Sequence, residues 1–187
     1  EIVAVAGRMI SVKPGLSDRR RPRRLHPRLR GTGLGFPFAF GQIGTVAPEI
    51  AALGADLVAK KAARFASEGV VGLDIAGPLI DTFRVEDLVD AVHTAKNAGL
   101  GITIHTGEVT PAEEVQKVIE LLRPNRIGHG IRSVDDPSLM ERLAKDGIVL
   151  EVCPTSNIHT QAAKDWEDIK RILATLKSAG VPGAINS

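Results

Sequence analysis

From about Ala47 onward, short apolar runs alternate with longer stretches in which apolar residues return every three or four positions. The short runs at residues 70–74, 102–105, 126–128, 148–152 and 181–185 read as strands. Pro182 weakens the last, because proline cannot donate to a strand ladder. The longer stretches predict helices. Over residues 48–68, Ile50, Leu53, Leu57, Val58, Lys61 and Phe65 recur at helical spacing, and Gly69 is a natural stop. A second helix is expected over 85–98, with Val85, Leu88, Val89 and Val92 on one stripe and Gly99 beyond it. A third is expected over 111–122, with Thr110 as N-cap and Pro111 at the first position. A fourth is expected over 137–145, between Asp136 as cap and Gly147 as stop, and a fifth over 165–179, ended by Gly180. Strand and helix alternate about five times, which implies parallel strands joined by right-handed crossovers. The apolar runs suit parallel strands covered by helices.

Residues 1 to 45 behave differently. After a strand-like opening run, Arg, Pro and Gly cluster without helical period. Division into a divergent or irregular segment, 1–45, and a β/α domain, 46–187, follows. Gly31, Gly33 and Gly35 resemble a phosphate loop, but no strand precedes them and no helix follows closely, so that reading is rejected. Arg19 to Arg24 open a basic stretch, yet the net charge is only +2. Such a stretch could hold nucleic acid. No aromatic residue interleaves the arginines to stack on bases, so a solvated basic loop is the preferred reading.

Length and composition bound the class. A chain of 187 residues can bury one core, but a complete eight-fold barrel takes roughly 250. The expected fold is therefore α/β: a partial TIM-type (β/α) barrel with parallel strands and about the last five β/α units. Its N-terminal strands are missing or divergent. Hydrophobic content of 43% and charged content of 25% are ordinary for a globular protein. The single Cys153 cannot form an internal disulfide and suits a reducing cytoplasm. No apolar run reaches the roughly 18 residues of a membrane span. The opening residues do not read as a secretory signal, and a start inside an apolar run suggests a fragment.

Polar residues sit where the apolar runs end, which is where a parallel barrel builds its site. His105 ends one run, and Glu108 follows it across Gly107. Histidine is a common zinc ligand, and a nearby Glu can move protons to and from water. The spacing is not the helical H-E-x-x-H of zincins. His129, between Gly128 and Gly130, could stabilise hydroxide or an oxyanion, or simply bond a backbone carbonyl. Gly77, after Asp74, could offer its backbone N–H to a ligand or merely turn the chain. In Cys153-Pro154-Thr155-Ser156-Asn157 the hydroxyls and amide are expected to cap the following loop. No base is spaced to activate Cys153 as a nucleophile.

Taken in order, LDIAG, HTGE, RIGHG and EVCPTSN resemble the adenosine deaminase family of the metal-dependent amidohydrolase superfamily. The resemblance runs from about Ala47 to Ser187. It implies a zinc-dependent (β/α)₈ barrel, one zinc ion per complete site, and hydrolytic replacement of a purine 6-amino group by oxygen. It makes His105 a zinc ligand and Glu108 the proton shuttle to purine N1. His129 would orient and polarise the attacking hydroxide, and Gly77 would bond the purine ring. The family's H-x-H pair has no counterpart, since no two of the five histidines are two apart. Its acidic pair belongs where the chain reaches Asn186-Ser187, and Asp135-Asp136 does not map there. The resemblance thus implies a parent deaminase of adenosine or a related 6-aminopurine nucleoside, cytoplasmic and acting in purine metabolism, with this chain lacking part of the metal site and inactive by itself. Two alternatives compete: an inactive, metal-free remnant, and a basic nucleic-acid module led by Arg19–Arg24. An incomplete barrel is expected to self-associate through exposed strand edges.

Overall fold

A computed structural model describes residues 2–5, 48–76 and 84–186. Arg19 to Arg24, the glycines at 31–35 and Gly77 lie outside the described residues. The strands are β1 (Ile2–Val5), β2 (Gly72–Ile75), β3 (Gly101–Thr106), β4 (Arg126–His129), β5 (Val149–Val152) and β6 (Gly183–Ile185). The helices are α1 (Pro48–Arg64), α2 (Val89–Asn97), α3 (Ala112–Leu122), α4 (Pro137–Asp146), α5 (Pro154–His159) and α6 (Trp166–Ser178). The α5 segment, expected to be loop, is a short helix with Pro154 at its first position. Three single-turn 3₁₀ segments occur at Ala66–Glu68, Val85–Leu88 and Ile131–Asp135, the first two inside ranges expected to be α-helix.

The six strands form one sheet whose spatial order equals chain order, β1 to β6. Strands β2 to β6 are parallel, while β1 runs antiparallel to β2 and so is not a barrel strand of the expected kind. When sequential parallel strands are joined by right-handed crossovers, every helix lands on the same face. A doubly wound sheet would instead reverse its order at a switch point.

The side chains alternate across this sheet. Leu73 and Ile75, Ile102 and Ile104, Ile127, and Leu150 and Val152 are buried against the helices. Asp74, Thr103, His105, Arg126, Gly128 and Glu151 take the opposite face, as a period of two requires. The strands are therefore apolar on one face only, not throughout. Under β2 and β3 the core includes Ala55, Ala59, Ala62, Leu88, Val92, Val118 and Leu122. Under β4 and β5 it includes Val115, Ile119, Leu139, Leu143, Ile169 and Ile172.

Helix α1 corrects its expected stripe. Ala55, Ala59 and Ala62 form the buried face, whereas Leu53 and Leu57 are each 68% exposed. Val58 and Phe65 pack at the margin of the core. Small residues let α1 lie close against α2 and the sheet. The ends of the other helices follow the sequence more closely. Asp136 accepts from the backbone N–H groups of Ser138 and Leu139 at the start of α4, and Gly147 stops that helix in the left-handed region. Asp165 caps α6 by accepting from the N–H of Asp168. Thr110 does not cap α3; the cap position falls on Pro111. Its Oγ1 accepts instead from the N–H of Gly107, 3.0 Å away. No helix among the described residues is long and apolar enough to cross a membrane.

Candidate active site

The candidate residues gather where the parallel strands end. His105 is the fifth residue of β3, on the face opposite the helices. Its Nδ1 lies 3.0 Å from Oδ1 of Asp74 on β2. The neighbouring position on β4 is Gly128. A Cβ there would lie 2.5 Å from Cδ2 of His105, so the imidazole occupies the space that any other residue would fill. The hydrogen bond that His105 donates to Asp74 raises the affinity of His105 for a proton, and burial only partly opposes it. A carboxylate on Nδ1 leaves Nε2 as the donor atom and makes it a stronger base. That is the arrangement of metal-ligating histidines and their outer partners.

After Thr106 the chain turns through Gly107, at φ +65°. Thr106 donates to Glu114 Oε1 at 2.6 Å and so ties the end of β3 to α3. The turn brings Glu108 towards β4. Its Oε1 stands 3.5 Å from Nδ1 of His129, and both side chains are largely covered. His129 closes β4 with φ +62°, a left-handed backbone seldom taken by a residue with a Cβ. Its ring meets that of His105 edge-on, with centroids 5.4 Å apart. Burial holds His129 below the ordinary histidine range, helped by His105 and opposed by Glu108. Burial thus favours the uncharged form of His129.

Several participants were missed in the sequence. Asp74 was noticed only as a strand end, although it lies two positions from His105 in register and on the same face. Arg126 pairs with Glu151 across β4 and β5, and Asn186 donates to the other oxygen of Glu151 at 3.0 Å. Strict alternation along β4 and β5 would have placed Arg126 and Glu151 on that face. Asn157, expected to cap a loop, donates instead to Glu108 Oε1 at 2.8 Å and sits 2.9 Å from His129 Nδ1. The surroundings of Cys153 disfavour its thiolate. Burial and the nearby carboxylates of Glu151 and Glu108 push its thiol above the usual range. His93 and His159 are exposed on α2 and α5.

His105 fits a metal as one ligand. Among the described residues no three His, Cys, Asp or Glu side chains converge to complete such a site.

Parallel strands in chain order and helices on one face define a (β/α)-barrel protein, with the candidate site on the C-terminal rim. The chain belongs to the adenosine deaminase family, whose model matches residues 45–187. An adenine deaminase of Mesorhizobium japonicum is 43% identical over 132 residues, covering 68% of this chain and 40% of that protein. The apo structure of the N6-methyl-AMP deaminase of Arabidopsis thaliana superposes with a TM-score of 0.62 at 30% identity, over 72% of this chain and 38% of that one. An amidohydrolase of Burkholderia ambifaria, solved with bound Zn, gives a TM-score of 0.57 at 25% identity, over 76% of this chain and 38% of that one. The chain thus spans about two fifths of the length of the curated relatives it matches.

Proposed function

We propose that this chain carries part of the active site of a hydrolase that removes the 6-amino group of a purine. Adenine is the first candidate substrate, because relatives named adenine deaminase are 43% identical. Adenosine and other 6-aminopurine nucleosides or nucleotides are the alternatives, and the N6-methyl-AMP deaminase keeps nucleotides among them. The observation that carries the reading is the convergence of Glu108, His129 and His105, with Glu108 Oε1 3.5 Å from His129 and the two rings 5.4 Å apart. All three lie within the stretch that matches the family model.

The metal proposed is zinc, held in part by His105 through Nε2. When bound, zinc lowers the pKa of water to about 7. The chain's own residues supply the proton chemistry. Glu108 takes the proton of the attacking water and delivers it to N1 of the purine ring, which makes carbon 6 electrophilic. His129 steadies the attacking oxygen through Nε2–H. The water oxygen stays on carbon 6, its second proton passes to the amino nitrogen as the carbon–nitrogen bond breaks, and the amino group leaves as ammonia. Gly77 is assigned to the purine ring by the family resemblance.

Ammonia release from adenine, adenosine and AMP tests this reading, with and without added zinc. It is to be measured on the chain and on any longer product of the same gene. The longer product is expected to turn over adenine in a zinc-dependent way, and the chain alone to release little. Glu108→Gln is expected to lower the rate by at least about 10²-fold. A longer product that binds zinc yet releases ammonia from none of the three purines overturns the reading.

A further inference from the structure

We propose that Asn157 is a positioning residue that keeps the proton of neutral His129 on Nε2 and holds Glu108 Oε1 as an acceptor, so that both groups face the site in the form proton transfer requires. The inference deepens the deaminase reading and rests on it for its functional meaning, but its geometry is independent of any substrate. Asn157 is fully buried. Its Nδ2 lies 2.8 Å from Glu108 Oε1 and 2.9 Å from His129 Nδ1. An amide nitrogen has two protons and accepts nothing, so both partners must be acceptors. Glu108 Oε1 is therefore unprotonated, and His129 Nδ1 is a lone pair. The proton of a neutral His129 is left on Nε2, the nitrogen turned away from Asn157.

The opposite amide orientation would set Oδ1 2.8 Å from Glu108 Oε1, an oxygen that already accepts from Thr160 Oγ1, so two acceptors would meet with no proton between them. The donor orientation is thus fixed by its neighbours. Oδ1 has no partner among the described residues, so the amide bonds only through its donor side. The backbone holds the side chain in place. Asn157 N–H donates to Cys153 O at 2.8 Å, and Ala163 N–H donates to Asn157 O at 2.9 Å. Thr160 Oγ1 donates to the same Glu108 oxygen at 2.9 Å. Both described hydrogen bonds to the carboxylate therefore fall on Oε1, which leaves Oε2 as the oxygen that exchanges protons. Without Asn157, the 3.5 Å gap between Glu108 Oε1 and His129 Nδ1 favours a proton placed directly between them. That proton would move His129 to the Nδ1–H form and occupy the shuttle.

Long-range proton–nitrogen NMR correlation of the ¹⁵N-histidine-labelled chain, free of metal and substrate, reads the tautomer directly. The expected wild-type result is a protonated Nε2 and an unprotonated Nδ1 at His129. In Asn157→Asp a carboxylate faces Nδ1, and the two nitrogen shifts are expected to exchange. In Asn157→Leu the preference for Nε2–H is expected to be lost. Wild-type His129 protonated at Nδ1 overturns the proposal, and so does a folded Asn157→Asp chain with an unchanged tautomer. If neither variant folds, the wild-type spectrum still decides. The expected tautomer in a protein that deaminates no purine would sink the functional reading alone. Turnover by a protein with Nδ1–H at His129 would sink this proposal alone.

Discussion

Asp74 and His105 couple the sheet to the site through one hydrogen bond of 3.0 Å. Because Asp74 raises the proton affinity of His105, the ring holds its proton over a wider pH range in the folded chain than in the unfolded one. A histidine with a raised folded pKa stabilises the fold fully below its unfolded value of about 6.5. That contribution is lost as pH rises through the folded value. Wild type is therefore expected to exceed Asp74→Asn in stability at mildly acidic pH, with a margin that shrinks towards alkaline pH. Urea unfolding in chelator across a pH series checks this, and a margin that grows with pH refutes the pairing. At this scale the sequence revealed the residues on the rim better than the residues behind them. His105, Glu108 and His129 stood at or just beyond strand ends, the last two beside glycines, and could be read locally. Asn157 bonds to Glu108 from 49 positions away, and no local pattern reports such a contact.

Among the elements, α1 shows how periodicity can find a helix and still misplace its buried face. Leucines and alanines share the same spacing there, and the weight given to large apolar residues pointed to Leu53 and Leu57. Packing instead selected the face of Ala55, Ala59 and Ala62, where backbone can approach backbone. Ala59→Leu is expected to cost about 1–3 kcal/mol through overpacking. Leu57→Glu, on the exposed side, is expected to change stability by less than about 0.5 kcal/mol. Thermal unfolding of both variants is the check, and the reverse ranking would mean that the face is wrongly assigned. Helix α5 escaped the reading for a different reason. Ile158 is the one apolar residue after Pro154, and only Pro154 and Asn157 are buried, so it has no apolar stripe to detect. The caps of α4 and α6 were legible because Asp136 and Asp165 stand directly before their helices and act on N–H groups within three residues.

On the scale of the whole molecule, strand order was legible because strand and helix alternate and crossovers have one hand. The antiparallel β1 was not, since Ile2–Val5 is an apolar run of the same kind as the others and direction leaves no mark in composition. The described sheet ends at β6, where Ile185 is 61% exposed. Reversible self-association is expected at high concentration, weakened by Ile185→Lys, because a charge on an edge discourages strand pairing. Sedimentation velocity at rising concentration checks this, and a wild-type chain that stays monomeric throughout refutes it. Because strand order equals chain order, the sheet also acquires its strands in the order in which a ribosome delivers them. Glu108 and His129 emerge before the residue that sets them, so the tautomer at the site is fixed only once α5 has left the ribosome and docked.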